Sequence, residues 1–200
     1  MIDNKYIVGI TGIVASGKSL FSKAIKNNGG YLLDADIIAR EITNQPTTII
    51  EIKNIFGDIV IDNGKINRAV LRDLIFSDDE SRLALNKIMH PKIIKNINDA
   101  IKQAETNIIF IDAPLLIETG MHMFTDTVVL VKTTHMDILE QRLMQRDKIT
   151  LYKARQIIKA QLDDTQKAKY STVIIQNDGT IEDLINKANE FYKECQSKVS

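Results

Sequence analysis

The stretch GIVASGKS, Gly12 to Ser19, sets a lysine and a hydroxyl directly after a glycine in the spacing G-x-x-x-x-G-K-[ST]. Side chains of those types at that spacing bind phosphate. Successive backbone N–H groups of such a loop turn inward on phosphate oxygens, and the helix that follows presents its positive end to the same anion. Lys18 is then expected against the β and γ phosphates of a nucleotide, with the Ser19 hydroxyl on Mg²⁺. The competing reading is an ordinary strand-to-helix turn that matches by accident. The apolar run YIVGIT before the loop and the helical FSKAIKNN after it supply the context that the phosphate mechanism needs.

Three further groups of residues have the types and spacing for phosphoryl chemistry. DADIIAR carries Asp34 and Asp36 two residues apart at the end of an apolar run, where open α/β sheets bind ligands. Either aspartate could equally cap the helix expected to begin near Ile37. Arg40, one helical turn beyond Asp36, suits an anionic substrate. DAPLLIETG ends a second apolar run in Asp112, the position of a Mg²⁺ or water contact opposite a phosphate loop, with Glu118 after it; the alternative is a surface turn with incidental acids. In EQRLMQRD, Arg142 and Arg146 are four residues apart on one helical face. They read as a pair aimed at polyphosphate or as a solvated face laced with ion pairs.

Elements must hold these groups in place. YIVGIT (6–11), YLLD (31–34), NIIFID (107–112), TVVLV (127–131) and TVIIQ (172–176) read as five strands buried on both faces. Helical patterns separate them, with start signals at Ser77 and Glu80, Thr134 and Asp137, and Thr180 and Asp183. The alternation predicts an α/β fold with a five-stranded parallel sheet flanked by helices. One domain is expected over 1–200, with its core at about 1–44 and 106–200. The segment at about 45–105 is nearly all helical and reads as an insertion. Asn63-Gly64 predicts a small hairpin inside it, and His90-Pro91 the end of one helix and the start of the next.

Composition narrows the partners. Lys plus Arg and Asp plus Glu are 26 each, so the net charge is zero and no basic tract offers a field to nucleic acid or a membrane surface. A single cysteine, Cys195, makes neither a disulfide framework nor, with the scattered His90, His122 and His135, a zinc site. No exported or membrane-spanning segment is read, and a cytoplasmic monomer is expected. No guanine-reading Asn-Lys-x-Asp is present, which weakens a switch GTPase and leaves a small-molecule kinase.

In order and spacing, GIVASGKS, DADIIAR, LNKIMHP (85–91), DAPLLIE, QRLMQRD and VIIQNDG (173–179) resemble the dephospho-CoA kinase family over nearly the whole chain. The resemblance implies a P-loop kinase fold with a helical substrate lobe and an Arg-bearing lid at about 140–170. It implies ATP-dependent phosphorylation of the ribose 3′-hydroxyl of dephospho-CoA, the last step of coenzyme A synthesis, with ATP and Mg²⁺. Gly12, Ala15, Ser16, Gly17, Lys18, Ser19 and Leu20 then hold the nucleotide. Asp36 takes the general-base position, joined in catalysis by Lys18, Arg142 and Arg146. Asp34, Arg40, Arg68, His90, Leu115 and Glu118 fall on the acceptor side, and Ser19 and Asp112 on the metal. Ile13 and Ala15 stand where such proteins commonly have glycine, and Ile157 where they often have arginine.

Overall fold

A computed structural model describes residues 5–199, apart from the side chains at 76 and 77. In chain order the elements are β1 Tyr6–Thr11, α1 Lys18–Asn27, β2 Tyr31–Asp34, α2 Ala35–Thr43, α3 Pro46–Phe56, β3 Ile61–Asp62, β4 Lys65–Ile66, α4 Arg68–Ser77 and α5 Asp79–Gln103. There follow β5 Ile108–Asp112, β6 Thr127–Lys132, α6 Met136–Asp147, α7 Leu151–Lys159, α8 Asp164–Ala168, β7 Val173–Gln176 and α9 Ile181–Val199. All five strands expected for the main sheet are present, each end within one residue of its expected place.

Those strands form one parallel sheet in the order β2-β5-β1-β6-β7. Alternating residues face opposite ways along a strand, so the central strands β1, β5 and β6 are buried on both faces, whereas the edge strands β2 and β7 are partly exposed. Val8, Ile10, Phe110, Val129 and Val131 pack under α1 and α9, where Phe21 and Phe191 meet with ring centroids 6.0 Å apart. On the other face Gly9 lies so close to Leu116 that a Cβ would reach 2.5 Å from its Cδ2. The near-continuous Ile/Val runs are therefore the sequence trace of a two-sided sheet.

By its internal contacts the chain divides into two compact units. The sheet unit comprises the chain through Asp34 and from Ile101 onward, and the helical unit is Ala35–Ala100. The helical unit has its own core of Ile42, Ile52, Val60, Ile66, Leu71 and Met89. Pro46 opens α3 at a position that needs no N–H, and the Asn67 side chain accepts the Val70 amide to start α4. Asn63 and Gly64, both with positive φ, turn β3 into β4 as the Asn-Gly pair predicts.

Three local expectations are corrected. Pro91 does not divide two helices, because α5 runs through it for 25 residues. Proline removes one rung, that to the Lys87 carbonyl, and the buried Met89 and Ile97 on either side hold the axis. Thr134 does not cap α6; its hydroxyl and amide both bond Asp178, and His135 stands at the cap without a side-chain bond. α2 starts at Ala35 rather than near Ile37. The cap expected at Ser77 lies outside the described side chains, and the Asp78 carboxylate accepts the Ser81 amide there. Thr180 and Asp183 do form the expected reciprocal pair, each accepting the other's amide at 3.1 and 2.8 Å.

Candidate active site

The phosphate loop leaves β1 at Thr11 and enters α1 at Lys18. Gly17 precedes that helix at φ 100°, in the left-handed region, and a Cβ there would collide with the Asn177 amide. Only glycine meets both demands. Ala15 is also left-handed, at φ 68°, a region that costs an L-residue energy. Its neighbours account for the tolerance: Ile13, Leu139, Leu143, Ala154 and Ile158 form a buried cluster, against which Val14, Ala15 and Ile157 pack. The three positions that depart from the family's usual residues thus share one apolar contact between the loop and helices α6 and α7.

Polar side chains from three other segments fix the loop backbone, and a fourth contact ties the loop's entry to the exit of β5. Gln161, after α7, accepts the Val14 amide at 2.9 Å. Arg142 of α6 donates to the Ala15 carbonyl at 3.5 Å. The buried Asn177 amide, after β7, donates to the Ser16 carbonyl at 2.7 Å. Thr11 Oγ1 donates to the Pro114 carbonyl at 3.1 Å. The Ala15 and Ser16 carbonyls are drawn away into these contacts, which leaves neighbouring backbone N–H groups other than that of Val14 to serve an anion.

Lys18 Nζ donates to Asp112 Oδ1, with both side chains nearly buried. Asp112 ends β5 and pairs in register with Asp34, which ends β2. Two carboxylates therefore stand side by side at the carboxyl ends of adjacent strands, where parallel sheets place ligands. Ser19 is exposed, while the Ser16 hydroxyl is buried without a protein partner. A pocket of about 200 Å³ opens beside the loop, lined by Ala15, Gly17, Leu20, Arg142, Asn177, Gly179 and Ile181.

The two α6 arginines have separate partners rather than a common target. Arg142 lies on the loop and the pocket, whereas Arg146 forks onto Asp147 at 2.7 and 3.0 Å. That pairing raises the Arg146 pKa and lowers that of Asp147. Arg155 of α7 forks likewise onto Glu140 of α6. Glu118 accepts the Leu162 amide and both of its oxygens accept from Lys167; Leu115 is exposed. In the helical unit, Asp36 sits exposed in the first turn of α2 and Arg40 exposed toward its end. Arg68, also exposed, donates to the Arg40 carbonyl at 3.3 Å. Burial lowers the pKa of His90 in α5, which favours its neutral form.

Asn177, Gly179 and Ile181 carry no assigned role in the sequence reading, although QNDG directly follows a strand at the sheet's ligand-binding end, and that position was the available signal. Asp178 between them is held by Thr133, Thr134 and Gln176, which depress its pKa strongly. Lys167 gave no signal at all. It lies in LDDTQKAK, which reads as a solvated helix face, yet it is fully buried.

A parallel sheet in this order, a phosphate loop seated on an Asp-bearing neighbour strand and an arginine from a following helix define a P-loop kinase, a phosphotransferase. Residues 6–183 match the family model described as dephospho-CoA kinase. A dephospho-CoA kinase of Fusobacterium nucleatum is 37% identical over 187 residues, covering 92% of this chain and 96% of that protein. The solved structure of TT1252 from Thermus thermophilus superposes with a TM-score of 0.84 at 28% identity, covering 95% and 97% of the two chains. A dephospho-CoA kinase from Campylobacter jejuni gives 0.73 at 26% identity, covering 98% and 100%. The chain belongs to the dephospho-CoA kinase family.

Proposed function

We infer that this chain transfers the γ-phosphoryl group of ATP to the ribose 3′-hydroxyl of dephospho-CoA, giving coenzyme A and ADP. The observation that carries the reading is the Lys18–Asp112 pair over a phosphate loop whose Ala15 and Ser16 carbonyls are held back by Arg142 and Asn177, with Gln161 on the Val14 amide. Lys18 and the loop amides bind the β and γ phosphates, and the base enters the pocket beside Arg142 and Asn177. Among the described residues no three His, Cys, Asp or Glu side chains gather as a metal site. The Ser19 hydroxyl and Asp112 carboxylate suit a cation that takes its other ligands from phosphate and water, as Mg²⁺ does. Held there, Mg²⁺ supplies charge neutralisation at the transferred group.

Asp36 orients the attacking hydroxyl and accepts its proton. Arg40, Arg68 and neutral His90 give the acceptor side two guanidiniums and one imidazole, suited to the acceptor's diphosphate and base. Arg146 can exchange Asp147 for a phosphate oxygen without losing its fork, since carboxylate and phosphate present similar acceptor geometry. Because the transition state is loose, positioning and charge neutralisation contribute more than deprotonation.

The test is ADP release from ATP·Mg²⁺ with dephospho-CoA, with a panel of other alcohol acceptors, and with none. Release that depends on dephospho-CoA, with phosphate found on the 3′-oxygen of the product, is the expected result. Equal release with an unrelated sugar or nucleoside would overturn the acceptor assignment.

A further inference from the structure

We propose that Lys167 is a positioning residue for phosphoryl transfer, the single hub that holds three segments around the phosphate loop in register. The proposal rests on the kinase reading above. Lys167, in α8, is fully buried, and burying an ammonium costs several kcal/mol unless its donors are met. Its three N–H groups find three acceptors: the Pro114 carbonyl at 2.8 Å and both Glu118 oxygens at 2.7 and 2.9 Å.

Two of these acceptors are shared with parts of the site. The Pro114 carbonyl also accepts from Thr11, the residue before the loop, and Pro114 lies two residues beyond Asp112, the partner of Lys18. Glu118 Oε1 also accepts the Leu162 amide, and the preceding residue, Gln161, holds the Val14 amide inside the loop. One ammonium thus ties the loop's entry, the exit of β5 and the end of α7 together. Displacing a phosphate-binding lysine and its carboxylate by about 1 Å can cost on the order of 10²-fold in rate.

Removing the charge separates positioning from mere stability. In Lys167→Met, Glu118 loses its cation and the Pro114 carbonyl a buried donor, so the melting temperature falls whichever role is true. The double variant Lys167→Met with Glu118→Gln removes both charges and so the unpaired carboxylate, yet it leaves the Pro114 carbonyl without its ammonium. Lys5→Met is the control, since this second buried lysine holds the carbonyls of Ile101, in the last turn of α5, and Ala104, just after it. Turnover is measured per folded molecule, with KM for ATP and the ADP released without acceptor.

Expected is a kcat at least about tenfold below wild type in both Lys167 variants, with KM for ATP within about threefold, and wild-type kcat in Lys5→Met. The fraction of ADP released without acceptor should rise, because the end of the lid is no longer held. Normal kcat per folded molecule in the double variant would overturn the proposal and leave Lys167 a staple. A failure of the kinase reading is distinguishable, since wild type itself would then show no acceptor-dependent ADP.

Discussion

The phosphate loop and the helical unit are held by different means. Around the loop an apolar contact at Ile13, Val14 and Ala15 is joined by polar, specific bonds: Gln161 on Val14, Arg142 on Ala15, Asn177 on Ser16, Asp112 on Lys18. The helical unit is held by an apolar cluster, and its candidate residues Asp36, Arg40 and Arg68 stand exposed on helices that this cluster supports. A polar cradle fixes atoms to within a few tenths of an ångström, which is what charge on a transferring phosphoryl group rewards. Helices packed through side-chain methyls present a face instead, and a face can bear substitutions that a cradle cannot. Changes on the helical unit should therefore alter chemistry and leave the fold intact, whereas changes around the loop should move both.

Asp36→Asn tests that division with the largest effect. Asn caps and shapes a first turn about as well as Asp, but it neither takes a proton nor carries charge. Acceptor-dependent turnover should drop by about 10² to 10⁴, the range for a positioned general base. Melting temperature and ATP binding should stay at wild-type values. A collapse in stability with normal turnover per folded molecule would make Asp36 a cap and erase the contrast, with Asp34 the next base to try.

Next come the two arginines of α6, which sequence spacing treats as equals and the structure does not. Arg142 bears on the loop and pocket, so Arg142→Lys should raise KM for ATP about tenfold, one lost charge-assisted contact. Arg146→Lys keeps charge but loses the fork now given to Asp147, so kcat should fall about tenfold while ATP affinity holds. Unchanged kcat would demote Arg146 to a surface ion pair.

What could be read from the sequence followed from periodicity and from local rules. The five strands were legible as apolar runs, but burial on both faces holds for the central β1, β5 and β6 alone; the edge strands β2 and β7 are half-exposed, at Tyr31 and Ile174 above all, because each has a neighbour on one side only. The Asn63-Gly64 hairpin and the Thr180–Asp183 cap were legible because their bonds close within four residues. Thr134 misled because Asp178, 44 residues away, takes its hydroxyl, and no local rule sees such a competitor. Pro91 misled because proline's cost of about 3 kcal/mol in a helix was weighed without the packing that offsets it. For Lys167 the sequence held no signal, since a buried lysine differs from a solvated one only in what surrounds it.

A smaller effect is expected from the segment after β7. Asp178 accepts from Thr133, Thr134 and Gln176, and its pKa lies well below the ordinary 3.8. A carboxyl whose folded pKa is depressed adds stability above its unfolded pKa and loses it as pH falls. Asp178→Asn should thus melt lower at neutral pH, and its melting temperature should fall less steeply than wild type between about pH 5 and pH 2. Parallel acid limbs for the two proteins would show that Asp178 does not anchor the segment that delivers Asn177 to the loop.

The smallest change is expected where the loop itself breaks a rule. Ala15 holds φ 68°, a region that costs an L-residue roughly 1 to 2 kcal/mol. Ala15→Gly relieves that strain. Against it stand the extra freedom glycine gives the unfolded chain, about 0.4 to 1 kcal/mol, and the loss of a methyl packed against the Ile13–Leu139–Leu143 cluster, about 0.8 kcal/mol. The terms nearly cancel, so stability should move by no more than about 1 kcal/mol and kcat/KM by less than about tenfold. The backbone contacts of Gln161, Arg142 and Asn177 act on Val14, Ala15 and Ser16 whatever side chain stands at 15, and so they should keep the loop's amides aimed inward. Equilibrium unfolding and steady-state kinetics of the variant measure both quantities. A change of two orders of magnitude in kcat/KM would mean that the apolar cluster, and not the polar cradle, sets the loop's geometry.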